Sequence, residues 1–133
     1  MTIDRPVLFY DGACRFCRAA ARAIAALDRR RRYAYLPFSD ELAAALLGPV
    51  PEGEREHSIH LAFPDGSIAS AGDALAELSR VFPLGGLLAD AARDHRPVRS
   101  VFRWGYDLVA TRRGALSGLV PDVRGPVCRP VLT

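Results

Sequence analysis

The chemistry available to this sequence centres on two of its three cysteines, Cys14 and Cys17, which stand three positions apart. They follow the apolar run VLFY and an Asp-Gly pair, and they precede an alanine-rich segment of helical character. Three cysteines cannot form a disulfide scaffold. A C-x-x-C pair in such a chain is typical of redox chemistry or of a metal site.

The predicted elements give the two thiols different environments. Cys14 lies where a buried strand ends and a helix begins, so unpaired backbone N–H groups and the positive end of the helix dipole favour its thiolate. Cys17 follows one turn later on the same face, within reach of a disulfide. We expect Cys14 to be an exposed nucleophile and Cys17 a buried resolving cysteine in thiol-disulfide exchange.

Charged residues around the pair have two interpretations each. Asp11 either accepts a proton when Cys17 becomes nucleophilic, or it stabilises the turn by accepting backbone N–H bonds. Arg15 and Arg18 add positive charge near Cys14 if they point toward it, and are solvated surface residues otherwise.

Metal binding is the main alternative, because His57 and His60 could complete a four-ligand zinc site with the cysteines. If residues 58–63 form a strand, the two histidines are an odd number of positions apart and point to opposite faces. This geometry argues against a shared ion, and we predict no metal site. An inert structural pair remains a third possibility. Cys128 is interpreted as a free thiol rather than an additional resolving cysteine.

The composition favours a globular domain without nucleic-acid binding. The net charge of +3 arises from eighteen arginines and no lysine, which indicates a coding bias rather than a need for guanidinium groups. The run Arg29 to Arg32 ends a predicted helix, where it complements the helix dipole. A nucleic-acid interface needs cations gathered on one face with readout groups between them.

The length and hydropathy pattern predict one domain and a cytoplasmic location. A chain of 133 residues can bury roughly two-thirds of its unfolded surface in one core. The first residues, MTIDRP, do not resemble a signal peptide, and no apolar stretch reaches the roughly twenty residues of a membrane span. We assign residues 1–114 to the domain and residues 115–133 to an irregular tail.

The order of apolar patterns predicts an α/β fold. Strands are expected at 6–10, 33–36, 58–63 and 68–70, and helices at 14–30, 39–47, 70–81, 84–93 and 98–114. Ser39 is the predicted cap of the second helix, and Ser70 with Asp73 resembles a capping box. A crossover helix makes the first two strands parallel, and the later hairpin adds antiparallel strands, so the sheet is mixed with helices on both faces.

The segment YDGACRFC, residues 10–17, resembles the D-x-x-C-x-x-C signature of the DCC family of predicted thiol-disulfide oxidoreductases. The resemblance continues through residues 33–37, the hairpin at 58–70 and the aromatic and arginine-rich helix at 102–113. It implies a thioredoxin-like fold and exchange with a protein or low-molecular-weight disulfide. It also implies Asp11, Cys14 and Cys17 as site residues, and no cofactor is expected.

The resemblance leaves the substrate contacts to be inferred. Thioredoxins place a cis-proline before the strand that faces the cysteines, whereas this chain has Glu56, His57 and Ser58 there. We predict Arg15, His57 and Ser58 as substrate-binding residues, with His57 lining a groove opposite Cys14. A non-catalytic thioredoxin-like binding module is the alternative function, since a fold alone does not establish an activity.

Overall fold

A computed structural model describes residues 2–124 and 126–132 of the chain. Four strands form the sheet: β1 Val7–Tyr10, β2 Ala34–Pro37, β3 His60–Ala62 and β4 Ile68–Ser70. The described residues contain six α-helices: α1 Arg15–Leu27, α2 Glu41–Leu46, α3 Ala71–Leu78, α4 Gly85–Asp94, α5 Arg96–Thr111 and α6 Arg113–Ser117. None of these helices is long and apolar enough to cross a membrane.

The sheet is mixed, with strand order β2-β1-β3-β4. β1 pairs in parallel with β2 and antiparallel with β3, and β3 and β4 form an antiparallel hairpin. Phe9 at the centre of the sheet lies opposite Leu36 on one side and His60 on the other. The predicted α/β class is confirmed, and the mixed sheet flanked by helices is consistent with a thioredoxin-like fold.

The core has two apolar layers because successive side chains of β1 point to opposite faces of the sheet. On one face, Val7 and Phe9 pack with residues of β2 and α2. On the other, Leu8 and Tyr10 pack with residues of β2, β3, α1 and α3. All four β1 residues are buried, so the strand that leads into the cysteine motif is fixed from both faces.

α1 ends earlier than predicted, at Leu27, because Asp28 turns the chain toward β2. The buried Asp28 carboxylate accepts hydrogen bonds from the Arg32 and Tyr33 N–H groups at 3.0 and 3.1 Å and from the Tyr35 hydroxyl at 2.9 Å. This network joins the end of α1 to the start of the second strand. The arginines at 29–32 are exposed.

One predicted helix cap is wrong, and another is correct in position but lacks the predicted capping bond. Asp40 rather than Ser39 caps α2, since its carboxylate accepts the Leu42 N–H at 3.0 Å. Ser70 occupies the cap position of α3 but makes no side-chain cap bond. Its hydroxyl lies 2.6 Å from His60 Nδ1, so the hydroxyl ties β4 to β3 instead.

The C-terminal region contains more structure than its sequence pattern indicated. α5 runs through Gly105, and α6 follows directly. Beyond α6, Cys128 forms an antiparallel bridge with Tyr35, and the Tyr10 hydroxyl donates to the Pro126 carbonyl at 2.8 Å. The chain thus returns to the outer edge of β2, beside the end of β1.

Candidate functional site

A tight turn connects β1 to α1 and presents the cysteine motif. The Asp11 carbonyl accepts the Cys14 N–H at 3.2 Å, and the Asp11 carboxylate accepts the Ala13 N–H at 2.9 Å. A Cβ at Gly12 would lie 3.0 Å from the Pro37 Cβ, so the turn passes close to the end of β2. The sequence folds this way because a short Asp-Gly connection suits the abrupt change from buried strand to helix.

Cys14 is the N-cap residue of α1. Its backbone is extended, with φ −90° and ψ 117°, and its Sγ accepts the Cys17 N–H at 3.3 Å. A capping side chain satisfies one of the N–H groups that a helix leaves unpaired at its start. Cys14 is only partly exposed, whereas the sequence predicted an exposed thiol.

Cys17 lies on the first turn of α1 and faces the interior, with 9% of its surface exposed. Burial, together with the neighbouring Cys14 thiol, raises the pKa of Cys17 to about 12, although Arg113 acts in the opposite direction. Arg113 Nη1 donates to Cys17 Sγ at 3.8 Å. All three cysteines are free thiols.

An apolar cavity of about 190 Å³ lies behind Cys17, between α1, α5 and the end of the sheet. Its wall includes Phe16, Ile24 and Val109, together with Tyr106 and Arg113 from the C-terminal helices. Few groups there can solvate a charged sulfur, which explains why the pKa of Cys17 is raised.

The side chains of Ser117 and Arg18 link the C-terminal part of the chain to the cysteine motif. The Ser117 hydroxyl of α6 accepts the Phe16 N–H at 3.3 Å and donates to the Arg113 carbonyl at 2.9 Å. The Arg18 guanidinium donates to the Gly12 carbonyl at 2.9 Å and pairs with Asp122 at 2.5 Å. Arg18 therefore binds the motif turn to the C-terminal segment.

The predicted site residues are distributed unevenly. Asp11 and Ser58 line the same cavity as Cys17, and Cys14 caps the helix one turn away. Arg15 and His57 are exposed, and neither contributes to the cavity wall. Their assignment as substrate-binding residues stays a prediction.

The histidines considered as metal ligands are separated by their surroundings. His60 is buried, and its two ring nitrogens lie 2.6 Å from the Ser70 hydroxyl and 3.0 Å from the Arg55 carbonyl. Burial lowers its pKa. His57 is exposed outside β3. Within residues 2–124 and 126–132, no three His, Cys, Asp or Glu side chains are grouped to hold a metal ion.

Sequence reasoning missed Arg113, Tyr106 and Ser117. The predicted helix at 98–114 includes Tyr106 and Arg113, which stand seven positions apart on one helical face, but nothing in the sequence indicates which element that face contacts. The contacts of Arg113 and Ser117 with the first turn of α1 join residues about a hundred positions apart, and Tyr106 contacts Ile59 from α5. Only the packing of α5 and α6 in the fold identifies these residues.

Of the comparisons with known proteins, the family comparison found a match. No curated protein and no solved structure matches the chain. A family model described as DCC1-like thiol-disulfide oxidoreductase matches residues 8–119. This range includes the cysteine motif, the six α-helices of the described residues and the sheet except the first residue of β1. The chain therefore belongs to the DCC1-like thiol-disulfide oxidoreductase family.

Proposed function

We propose that Cys14 and Cys17 form a redox dithiol that exchanges with a protein or low-molecular-weight disulfide. The observation that carries this proposal is the 3.3 Å hydrogen bond from the Cys17 N–H to Cys14 Sγ at the start of α1. It places the sulfur of a partly exposed cysteine at the electropositive end of a helix, with a buried second thiol one turn behind.

The reaction proceeds in two exchange steps. The Cys14 thiolate attacks one sulfur of the substrate disulfide, and the other substrate sulfur leaves as a thiolate. Cys17 then loses its proton and attacks Cys14 Sγ, which breaks the mixed disulfide and releases the second substrate thiolate. Two electrons have moved from the dithiol to the substrate, and the Cys14–Cys17 disulfide remains. The reverse sequence oxidises a substrate dithiol.

Asp11 is the proposed proton acceptor for Cys17. Asp11 lines the same cavity as Cys17, and one oxygen of its carboxylate also accepts the Ala13 N–H. Ser58 on the cavity wall and the exposed Arg15 and His57 are the proposed substrate contacts. A dithiol that starts its cycle reduced suits a reducing compartment such as the cytoplasm.

A redox titration tests the proposal. The protein is equilibrated with a series of dithiothreitol couples, the remaining thiols are alkylated, and mass spectrometry locates them. We expect reversible loss of two thiols at Cys14 and Cys17. The loss disappears in Cys14→Ser and persists in the matched control Cys128→Ser. A pair that never oxidises supports the binding module instead, and zinc lost on either motif mutation supports a metal site.

The Asp11→Asn variant separates the two roles of this residue. Asparagine can still accept the Ala13 N–H, so we expect the thermal midpoint to change little. Because the amide cannot take a proton, we expect slower release of a thiol from the Cys14 mixed disulfide at neutral pH, by roughly tenfold or more. An unchanged release rate in a folded variant assigns Asp11 to the turn alone.

A further inference from the structure

The second exchange step requires an anion where the protein disfavours one. Cys17 must lose its proton before it attacks Cys14 Sγ, yet Cys17 is buried against an apolar cavity. A thiolate in such surroundings needs a nearby positive charge or hydrogen-bond donors. Of the described residues that line the cavity, Arg113 alone is cationic.

We propose that Arg113 is a catalytic residue that stabilises the Cys17 thiolate during resolution of the mixed disulfide. Its Nη1 donates to Cys17 Sγ at 3.8 Å. A guanidinium remains charged throughout the accessible pH range, so its role is electrostatic and it does not accept the proton. The proposal rests on the proposed exchange function, because it concerns the second step of that reaction.

The fold directs Arg113 at the sulfur. The Ser117 hydroxyl accepts the Phe16 N–H next to Cys17 and donates to the Arg113 carbonyl one turn back along α6. The Ser117 hydroxyl therefore links the first turn of α1 to Arg113, which contacts Cys17 Sγ. Displacement of α6 would separate the guanidinium from the thiol.

The charge of Arg113 is not committed to a carboxylate. Two other partly buried arginines form ion pairs, Arg18 with Asp122 and Arg80 with Glu77 and Asp90. Among the described residues, no Asp or Glu lies within 4.0 Å of the Arg113 guanidinium nitrogens. The guanidinium is thus available to an anionic sulfur.

The other titratable groups near Cys17 do not supply a cation. Cys14 lies on the preceding turn, and Asp11 lines the cavity from the β1–α1 turn. Tyr10 of β1 and Tyr106 of α5 also line it. The Tyr106 hydroxyl accepts the Ile59 N–H at 3.0 Å, which aligns it with β3. Burial raises the pKa of Tyr106, so it remains neutral while Cys17 reacts.

The step balances without a further reactant. The Cys17 proton passes to Asp11 or to water, and the Cys17 thiolate forms a bond with Cys14 Sγ. The bond between Cys14 and the substrate sulfur breaks, and its electron pair leaves on the substrate thiolate. Arg113 makes a charge-assisted contact with the attacking sulfur before the bond forms.

The test follows the second step directly. Proteins carrying Cys128→Ser are mixed with the chromogenic aromatic disulfide dithiobis(nitrobenzoate). Attack by Cys14 releases a first coloured thiolate at a rate that depends on reagent concentration. Attack by Cys17 on the Cys14 mixed disulfide releases a second at a rate independent of reagent concentration. The second rate is measured between about pH 6 and pH 10 for each variant, a range below the Cys17 pKa of about 12.

Arg113→Met removes the charge and keeps an unbranched stem, Arg113→Lys keeps the charge, and Arg112→Met is the control. Arg112 is the exposed neighbour of Arg113, and Arg112→Met makes the same change in net charge away from the sulfur. An opposite charge at this distance shifts a pKa by about one to three units, and the higher nucleophilicity of a more basic thiolate offsets nearly half of the effect. We therefore expect a second step about 3-fold to 50-fold slower in Arg113→Met.

We expect a slow second step in Arg113→Met, a largely preserved second step in Arg113→Lys and an unchanged second step in Arg112→Met. The first step should slow less than the second in Arg113→Met. Equal second rates for the two Met variants would overturn the role of Arg113. A wild-type protein that shows no second phase and no Cys14–Cys17 disulfide would instead refute the exchange function. Alkylation of Cys17 by iodoacetamide in Cys14→Ser proteins gives a second readout, and Arg113→Met must slow it as well.

Discussion

At the scale of single residues, two identical side chains acquire different chemistry within one helical turn. Cys14 uses its sulfur as a helix cap and stays partly open to solvent. Cys17 is turned inward, where burial raises its pKa to about 12. The difference arises because Cys14 stands at the open end of α1, whereas Cys17 lies within the helix on the side that packs on the core.

The two thiols should therefore react with iodoacetamide at different rates at neutral pH. We expect Cys14 to be alkylated at least tenfold faster than Cys17, because only the thiolate reacts and Cys17 is both buried and protonated. Peptide mass spectrometry at timed intervals measures both sites in the same sample. Cys128, a partly buried thiol outside the motif, provides an internal reference. Equal rates, or faster labelling of Cys17, would contradict the assignment of nucleophile and resolving cysteine.

What the sequence could predict at this scale depends on distance along the chain. The Cys14 and Cys17 geometry follows from a strand, a turn and a helix that are contiguous in sequence. Arg113 reaches the site only through the packing of α6 on α1, and a periodic pattern shows which residues share a helix face but not which distant element that face contacts. The succession of strands and helices along the chain was predictable for the same local reason, whereas the caps at Asp40 and Ser70 depended on side-chain competition.

At the scale of elements, the cavity behind Cys17 depends on how closely α5 approaches α3. A Cβ at Gly72 of α3 would lie 2.4 Å from the Arg103 Cα and 2.7 Å from its N. The two helices are also joined by an ion pair, since Arg103 donates to both carboxylate oxygens of Asp73 at 2.9 Å. α5 in turn supplies Tyr106 and Val109 to the cavity wall. The absence of a side chain at Gly72 is thus a condition for the site.

Gly72→Ala should destabilise the protein by about 2 to 3 kcal/mol, because backbone atoms of α5 must move to admit the methyl group. Gly105→Ala is the matched control within α5: nothing lies within 4 Å of the added Cβ, so the better helix propensity should stabilise by about 0.5 to 1 kcal/mol. Urea unfolding followed by circular dichroism measures both. We also expect faster alkylation of Cys17 in Gly72→Ala, since displacement of α5 opens the cavity. Equal stability of the two variants would mean that α3 and α5 do not pack this closely.

At the scale of the whole molecule, the sheet, the helices and the C-terminal segment bury several groups that ionise only at high pH. Burial raises the pKa of Tyr33 to about 12, and burial with the Asp28 carboxylate raises that of Tyr35. Both hydroxyls lie within hydrogen-bonded networks, Tyr33 with the Glu77 carbonyl at 3.0 Å and Tyr35 with Asp28 at 2.9 Å. Cys17 belongs to the same class for the reason given above.

The free energy of unfolding should therefore fall at alkaline pH. Below their ordinary values of 9.0 for cysteine and 10.0 for tyrosine, these groups are protonated in both states and contribute fully to stability. As the pH rises toward 12, the unfolded chain ionises first, so the contribution is lost. Tyr33 alone accounts for about 2 to 3 kcal/mol of this loss at most. Urea unfolding of the reduced protein at a series of pH values measures this loss of stability. Tyr33→Phe should lose less stability at alkaline pH, although its missing hydrogen bond costs about 1 kcal/mol at neutral pH. If the stability of Tyr33→Phe falls as steeply as that of the wild type, Tyr33 ionises normally in the folded protein. The residue that leads into β2 would then be less buried than the described packing requires.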